Sequence, residues 1–119
     1  MPGSVSGGSA TPLPVVAIIP AKDEAARIAA TIGAVRRIPG IAAVIVVDDG
    51  SRDGTGRIAA ERGVEVVRHA RNRGKAEALM SGLGRMSALQ RVGRVGSGAA
   101  ALFVDADLED SAEAVGVLV

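Results

Sequence analysis

This sequence has no cysteine, a single aromatic residue and no apolar run long enough to cross a membrane. The absence of cysteine excludes disulfides, thiol catalysis and thiolate metal sites, and is typical of a reducing compartment, so we expect a cytoplasmic protein. With Phe103 as its only aromatic residue, the chain lacks the stacking rings that bind single-stranded nucleic acid. No apolar stretch reaches the roughly 18–20 residues needed to span a bilayer. The sequence therefore predicts a globular protein that neither binds nucleic acid nor spans a membrane.

Length and charge add two further limits. The chain has 119 residues, which is enough for one small domain. Its formal net charge of +1 provides no strong electrostatic field that would attract nucleic acid or a membrane. Residues 1–13 are rich in Gly, Ser and Pro and have no basic start or apolar core of a signal peptide. We expect a disordered arm at 1–13 and an α/β domain at 14–119.

The apolar pattern predicts four short strands, each followed by a helix. The predicted strands are 15–19, 44–47, 64–67 and 100–104, and the helices begin near Asp23, Thr55, Lys75 and Ser111. The first helix carries an apolar stripe of Ile28, Ile32 and Val35, and Asp23 is its predicted cap. Such alternation predicts a Rossmann-like parallel sheet with helices on both faces, which binds ligands at the carboxyl ends of its strands.

Two adjacent aspartates follow the second predicted strand, in the stretch VIVVDDGSRDGTGRI. The SRDGT segment is typical of a turn and helix cap, with Asp53, Ser51 or Thr55 as the capping side chain. Turn formation does not explain a doubled acid directly after a core strand. A carboxylate at Asp48 or Asp49 is suited to accept hydrogen bonds from a nucleobase or from ribose hydroxyls.

Other polar residues stand at the ends of the remaining strands. Asp105 and Asp107, with one residue between them, follow the fourth strand. They can bind one Mg²⁺ or Mn²⁺, or merely form a turn and a helix cap. Lys75 is the first residue of a predicted helix, and its side chain is either a phosphate ligand or a solvated lysine. His69, the only histidine, is expected to be exposed and without function. Because the strands are parallel, these turns should meet at one edge of the sheet.

Four motifs in this order and spacing resemble those of family 2 glycosyltransferases of the GT-A fold. The resemblance runs from about Val15 to Asp110. The motifs are IIPAKDEAARIAATI, VVDDGSRDGT, RNRGKAEAL and FVDADLED. The sequence is similar to polyprenyl-phosphate sugar transferases and glucosyl-phosphoglycerate synthases. This resemblance implies the nucleotide-binding half of a GT-A fold, and metal-dependent transfer of a sugar from a nucleotide diphosphate sugar, a UDP- or GDP-sugar, to an acceptor.

The resemblance also implies roles for individual residues. Pro20, Ala21 and Glu24 would line the nucleoside pocket, and Asp48 or Asp49 would contact base or ribose. The remaining assignments concern the diphosphate and the metal: Lys75 near the phosphates or the sugar, and Asp105 and Asp107 on Mg²⁺ or Mn²⁺ and the diphosphate, with Asp107 the more direct metal ligand.

The sequence departs from the family pattern in three ways. Asp23 stands where the family usually has Asn, and Lys22 where an aromatic or apolar residue is frequent. Family enzymes also carry a second half that holds the acceptor and, in inverting members, the catalytic base. We therefore expect a domain truncated at its C-terminus that binds nucleotide with weak or no turnover, and no catalytic base is assigned.

Three other functions are alternatives for this sequence. A sugar-phosphate nucleotidyltransferase normally has a Gly-rich, Arg-containing loop after the first strand, and PAKDEA is not such a loop. A non-catalytic nucleotide-binding or interaction module remains an alternative. A phosphatase of the HAD type places its nucleophilic DxD after the first strand, whereas DAD here follows the fourth.

Overall fold

A computed structural model describes the backbone of residues 13–106 and 115–118, and the side chains of 13–106. The strands are β1 (Val15–Ala21), β2 (Ile41–Asp49), β3 (Glu65–His69), β4 (Ala100–Val104) and β5 (Val115–Leu118). The helices are α1 (Ile28–Arg36), α2 (Thr55–Glu61) and α3 (Lys75–Arg91). Among these residues, none of the helices is long and apolar enough to cross a membrane.

The strands form one sheet in the order β3-β2-β1-β4-β5. Strands β1 to β4 are parallel, as predicted, and β5 runs antiparallel to β4. β1 lies at the centre, and the chain moves outward from it on both sides. The carboxyl ends of β1, β2 and β4 therefore meet at one edge of the sheet.

Each face of the sheet has its own apolar core, because successive side chains of a strand point to opposite faces. On one face, Ile19 and Val46 pack with the α1 stripe of Ile28, Ile32 and Val35, all buried as predicted. The second core forms under α3 on the opposite face; its members include Val16, Ile18, Ile45, Val47, Ala78, Met86 and Leu89. The prediction of helices on both faces is confirmed.

Three strands extend further into the polar turns than predicted. β1 continues through Pro20 and Ala21, β2 includes both Asp48 and Asp49, and β3 ends at His69. The pairing of Ala21 with Asp48 and of Asp49 with His69 explains the extension, because parallel neighbours continue the backbone ladder beyond the apolar run. Pro20 is tolerated because β1 pairs with β4 only as far as Ile18.

The predicted start of the first helix is wrong. α1 begins at Ile28, and Asp23 lies outside it with a φ of 55°. A turn precedes the helix, in which the Glu24 carbonyl accepts hydrogen bonds from the amides of Arg27 and Ile28. The side chain of Asp23 is used instead in a contact with the loop after β2, described below.

The prediction of a final helix is also wrong for the part of it that the structure describes. Its start near Ser111, and the predicted role of Glu109 and Asp110 at its N-terminus, lie outside the described residues. The segment Val115–Leu118 is strand β5, with Gly116 opposite Phe103 of β4. β-branched valines alternating with other residues suit a strand better than a helix.

Candidate functional site

A cleft of about 170 Å³ opens at the carboxyl edge of β1, β2 and β4. Its walls are formed by Pro20, Ala21, Lys22, Glu24, Asp49, Asn72, Gly74, Lys75, Ala78 and Asp105. Six of the seven residues that the sequence assigned to nucleotide binding are among them. These residues come from segments far apart in the chain, so only a parallel sheet with this strand order brings them together. Their binding role stays a prediction.

Asp49 is the buried carboxylate of this cleft, with 4% of its surface exposed. Its Oδ1 accepts hydrogen bonds from His69 Nδ1 at 2.7 Å and from the Arg73 amide at 2.8 Å. Its Oδ2 accepts one from the Gly74 amide at 2.9 Å. Burial opposes ionisation, but the hydrogen bonds from His69 and the two amides outweigh it and lower the pKa of Asp49.

Asp48 is equally buried but does not line the cleft. Its Oδ1 accepts the Ser51 amide at 3.0 Å, and its Oδ2 lies 3.6 Å from Arg68 Nε. A Cβ atom at Gly56 of α2 would lie 2.4 Å from the same Oδ2, so α2 approaches Asp48 closely. The structure therefore places Asp48 on the α2 side of the sheet and apart from the other predicted residues.

His69 was expected to be exposed, and the structure corrects this expectation. It is buried, with 6% of its surface exposed, and bridges β2 and α3. Its Nδ1 donates to Asp49, and its Nε2 lies 2.8 Å from the Ser81 hydroxyl. A side chain at the end of a short strand is covered here because α3 packs over that end of the sheet.

The loop after β1 is tied to the loop after β2 by four hydrogen bonds. The Asp23 amide donates to Ser51 Oγ at 2.9 Å, and Asp23 Oδ1 accepts the Arg52 amide at 2.8 Å. The remaining two bonds run from the Glu24 amide to Thr55 Oγ1 at 2.9 Å and from the Ala25 amide to Asp53 Oδ2 at 3.0 Å. The turn chemistry of SRDGT thus fixes the backbone around Glu24, which lines the cleft.

Of the three residues predicted to cap α2, Asp53 is the one whose side chain bonds to the first residue of the helix. Its Oδ1 accepts hydrogen bonds from both the amide and the hydroxyl of Thr55. The hydroxyl bond of Thr55 is the main reason why the pKa of Asp53 is lowered. The residue directly before α2 is Gly54, in the left-handed region with a φ of 87°, so the cap differs from a side-chain N-cap.

Lys75 and Asp105 face each other across the cleft. Lys75 Nζ donates to Asp105 Oδ2 at 2.8 Å, and the two side chains are 58% and 32% exposed. Lys75 opens α3, while Asp105 follows β4, so this pair closes one end of the cleft. An exposed ion pair of this kind contributes only about 0–1 kcal/mol to folding.

Asp107, the predicted direct metal ligand, lies outside the described residues. Within residues 13–106, no cluster of three or more His, Cys, Asp or Glu side chains is arranged to hold a metal ion. Asp105 is the described carboxylate at the predicted position. Because Mg²⁺ commonly binds through one or two carboxylates plus substrate phosphates, this donor set is compatible with a divalent ion without forming a closed cage.

Sequence reasoning left Lys22 and Ala78 of the cleft wall unassigned, and it missed three further features of the site. Asn72 and Gly74 line the cleft, and His69 supports Asp49. The first two belong to the RNRGK stretch, so the motif itself was a usable signal. The contact of His69 with Asp49 had no comparable signal, since it depends on the register of β3 against β2.

A Rossmann-like parallel sheet with a cleft at the carboxyl ends of its strands is the architecture of nucleotide-binding α/β domains, and GT-A glycosyltransferases share it. The family model described as "Glycosyl transferase family 2" matches residues 16–119. The chain therefore belongs to glycosyl transferase family 2. The family and the fold that the sequence motifs implied are confirmed.

Solved structures of several glycosyltransferases are similar to this chain. Glucosyl-3-phosphoglycerate synthase from Mycobacterium tuberculosis, in complex with Mn²⁺, UDP and glucosyl-3-phosphoglycerate, has a TM-score of 0.61 and 27% identity. Mannosyl-3-phosphoglycerate synthase from Rubrobacter xylanophilus has a TM-score of 0.64 and 28% identity. A mannosyltransferase from Pyrobaculum calidifontis, in complex with GDP-Man and Mn²⁺, has a TM-score of 0.61 and 27% identity.

The chain spans about one third of the length of these relatives. The matches cover 80%, 83% and 82% of this chain, but 34%, 32% and 28% of the respective solved chains. An uncharacterised protein of Methanocaldococcus jannaschii is 39% identical over 69 residues, which are 58% of this chain and 28% of that protein. The likeness therefore concerns one part of larger proteins.

Proposed function

We propose that this chain binds the nucleotide diphosphate sugar of a metal-dependent glycosyl transfer, as the donor-binding part of the enzyme. The observation that carries the proposal is the meeting of Pro20, Glu24, Asp49, Lys75 and Asp105 in one cleft at the carboxyl edge of the sheet. Crystallised relatives hold UDP or GDP-Man together with Mn²⁺, which supports a UDP- or GDP-sugar as the ligand.

The nucleoside would lie against Pro20, Ala21 and Glu24. Of the two aspartates, Asp49 is the better candidate for the base or ribose, because it lines the cleft and Asp48 does not. An ionised carboxylate offers about four acceptor positions, and described residues use three on Asp49. One position on Oδ2 would thus be available to a nucleoside N–H or O–H.

The diphosphate would lie between Lys75 and the Asp105–Asp107 turn. The Lys75 ammonium would bind a phosphate oxygen, and Asp105 would hold and orient that lysine through their ion pair. Asp105 and Asp107 would hold Mg²⁺ or Mn²⁺. The bound ion would supply Lewis-acid stabilisation of the negative charge on the departing diphosphate. Lys75 would stabilise the same charge by a preorganised electrostatic contact.

Calorimetry with UDP and with GDP, each with and without Mn²⁺, tests this proposal. We expect one of the two nucleotides to bind, and to bind more tightly when Mn²⁺ is present. Absence of binding for both nucleotides under both conditions would refute the proposal.

A second candidate is nucleotide-sugar binding without turnover by this chain. The observation that favours it is that the chain spans about one third of each solved relative. An assay of donor hydrolysis separates the two candidates, since both predict binding and only an active enzyme releases the free sugar.

A further inference from the structure

A buried chain of hydrogen bonds runs behind the cleft. It connects the hydroxyl of Ser81 in the middle of α3, the imidazole of His69 at the end of β3, and the carboxylate of Asp49 at the end of β2. The heavy-atom distances are 2.8 Å and 2.7 Å. Asp49 and His69 are both more than nine-tenths buried. Neither the family match nor the predicted site residues account for His69.

The pattern resembles that of a Ser-His-Asp hydrolase, but the surroundings of Ser81 do not support a nucleophile. Ser81 lies in the middle of α3, where the backbone amides are used by the helix itself. An oxyanion needs N–H groups directed at it, and helix-interior amides are not available for this purpose. The effect of these hydrogen bonds is therefore to be sought at Asp49, at the opposite end from Ser81.

Asp49 connects His69 to the start of α3. Its two oxygens hold the amides of Arg73 and Gly74, the two residues directly before Lys75. Lys75 is the first residue of α3 and reaches Asp105 across the cleft. A carboxylate that receives a strong hydrogen bond from an imidazole has a fixed orientation, and so have the amides that it holds.

We propose that His69 is a positioning residue for the diphosphate-binding end of the cleft, acting through Asp49 on the backbone before Lys75; this inference rests on the proposed function. His69 itself does not touch the ligand. Its Nδ1–H keeps both oxygens of Asp49 directed at the two amides, and Ser81 keeps the ring from rotating.

Two substitutions separate the two nitrogen atoms of the ring. The amide group of Asn lies close to the position of Nδ1, so His69→Asn retains a donor for Asp49. The amide of Gln lies close to the position of Nε2, so His69→Gln retains the contact with Ser81 and loses the donor to Asp49. We expect His69→Gln to weaken binding of UDP, or of GDP if that is the ligand, by about tenfold, and His69→Asn by less than about threefold.

Comparison of diphosphate and nucleoside distinguishes positioning from general damage. We expect affinity for uridine or guanosine to change by less than about threefold in His69→Gln. Pro20, Ala21 and Glu24 lie on other segments, and the position on Asp49 proposed for the nucleoside is on Oδ2, whereas His69 contacts Oδ1. Leu89→Val, a buried truncation in the distal half of α3, is the control for lost stability. It should not change the ratio of diphosphate to nucleoside affinity.

Two further measurements test whether His69 acts through the start of α3. In ¹H–¹⁵N spectra, the amide signals of Arg73 and Gly74 should shift in His69→Gln and be restored towards wild type in His69→Asn. Adding Lys75→Met to His69→Gln should cost less than the sum of the two single effects, since both changes act on one contact.

The outcomes separate the inference from the proposed function. If the wild-type chain binds neither UDP nor GDP, the proposed function fails and the inference fails with it. If the wild-type chain binds and His69→Gln retains its full diphosphate affinity, or loses diphosphate and nucleoside affinity equally, the inference alone is overturned.

Discussion

Asp48 and Asp49 are neighbours in β2, but their carboxylates lie on opposite faces of the sheet. Asp48 accepts the Ser51 amide and faces Arg68 and α2, while Asp49 accepts the Arg73 and Gly74 amides at the start of α3. Strand geometry requires this separation, because successive side chains alternate between faces. The doubled acid therefore serves two different loops, and only one of its members borders the cleft.

The first prediction compares Asp49→Asn with Asp48→Asn. Asp49→Asn replaces a charged acceptor of three hydrogen bonds by a group with one acceptor oxygen and an NH₂ that faces other donors. We expect a loss of about 2–3 kcal/mol in the free energy of unfolding, measured with urea at pH 7. Asp48→Asn should cost about 1 kcal/mol, since its described bonds are one amide and a 3.6 Å ion pair. Equal losses would contradict the assigned difference.

The second prediction concerns pH. The pKa of Asp49 is lowered in the folded state, so the folded protein binds fewer protons there than the unfolded chain, whose aspartates titrate near 3.9. The stabilisation is complete above about pH 5 and is lost as the pH falls through the folded pKa. The difference in unfolding free energy between wild type and Asp49→Asn should therefore shrink on acidification. A difference that is constant down to about pH 2.5 would argue against an ionised Asp49.

The third prediction compares two glycines whose φ angles are nearly equal. Gly50 and Gly93 have φ angles of 78° and 79°. A Cβ at Gly50 would lie 2.4 Å from the Asn72 amide nitrogen, whereas a Cβ at Gly93 would meet no atom within 4 Å. Gly93→Ala should cost about 1–2 kcal/mol from conformation alone. Gly50→Ala should cost more, because the backbone of residues 71–72 must also move. The loss of unfolding free energy of both variants can be measured by thermal unfolding. Equal losses would contradict the close contact at Gly50.

The fourth prediction concerns Thr55, which is completely buried. Its hydroxyl accepts the Glu24 amide and donates to Asp53. Thr55→Val keeps the shape but removes both bonds, and should cost about 1–3 kcal/mol in unfolding free energy. Thr55→Ser keeps the hydroxyl and is the control for the lost methyl group. Nucleotide affinity should fall in Thr55→Val and not in Thr55→Ser, and the reverse order would refute the role of this hydroxyl in holding Glu24.

The fifth prediction concerns the metal. Asp107→Ala should abolish the gain in UDP or GDP affinity that Mn²⁺ produces, while the thermal unfolding midpoint remains that of wild type. Glu61→Ala, which removes an exposed carboxylate of α2 paired with Arg57, is the control for a change of charge. Calorimetry in the presence of Mn²⁺ measures both variants. Wild-type affinity in Asp107→Ala would refute the metal assignment.

The central part of the fold was accessible from local patterns. The apolar runs identified β1, β2 and β4, and the stripe Ile28, Ile32 and Val35 identified the buried side of α1. The errors fell at ends: Asp23 is not a cap, and Val115–Leu118 is a strand where a helix was expected. Short polar segments have weak preferences of their own, so contacts with distant segments decide their conformation.

The candidate site divides in the same way. The sequence by itself determined which residue types stand in the turns, because Asp49 and Asp105 come soon after apolar runs and Lys75 comes directly after the turn residue Gly74. Only the tertiary structure decided that Asp49 enters the cleft and Asp48 does not, and that His69 supports Asp49. The physical reason is that the sheet face on which a side chain lies depends on how far the strand extends. The partner of that side chain depends on the register between β2 and β3. A local sequence pattern fixes neither of them.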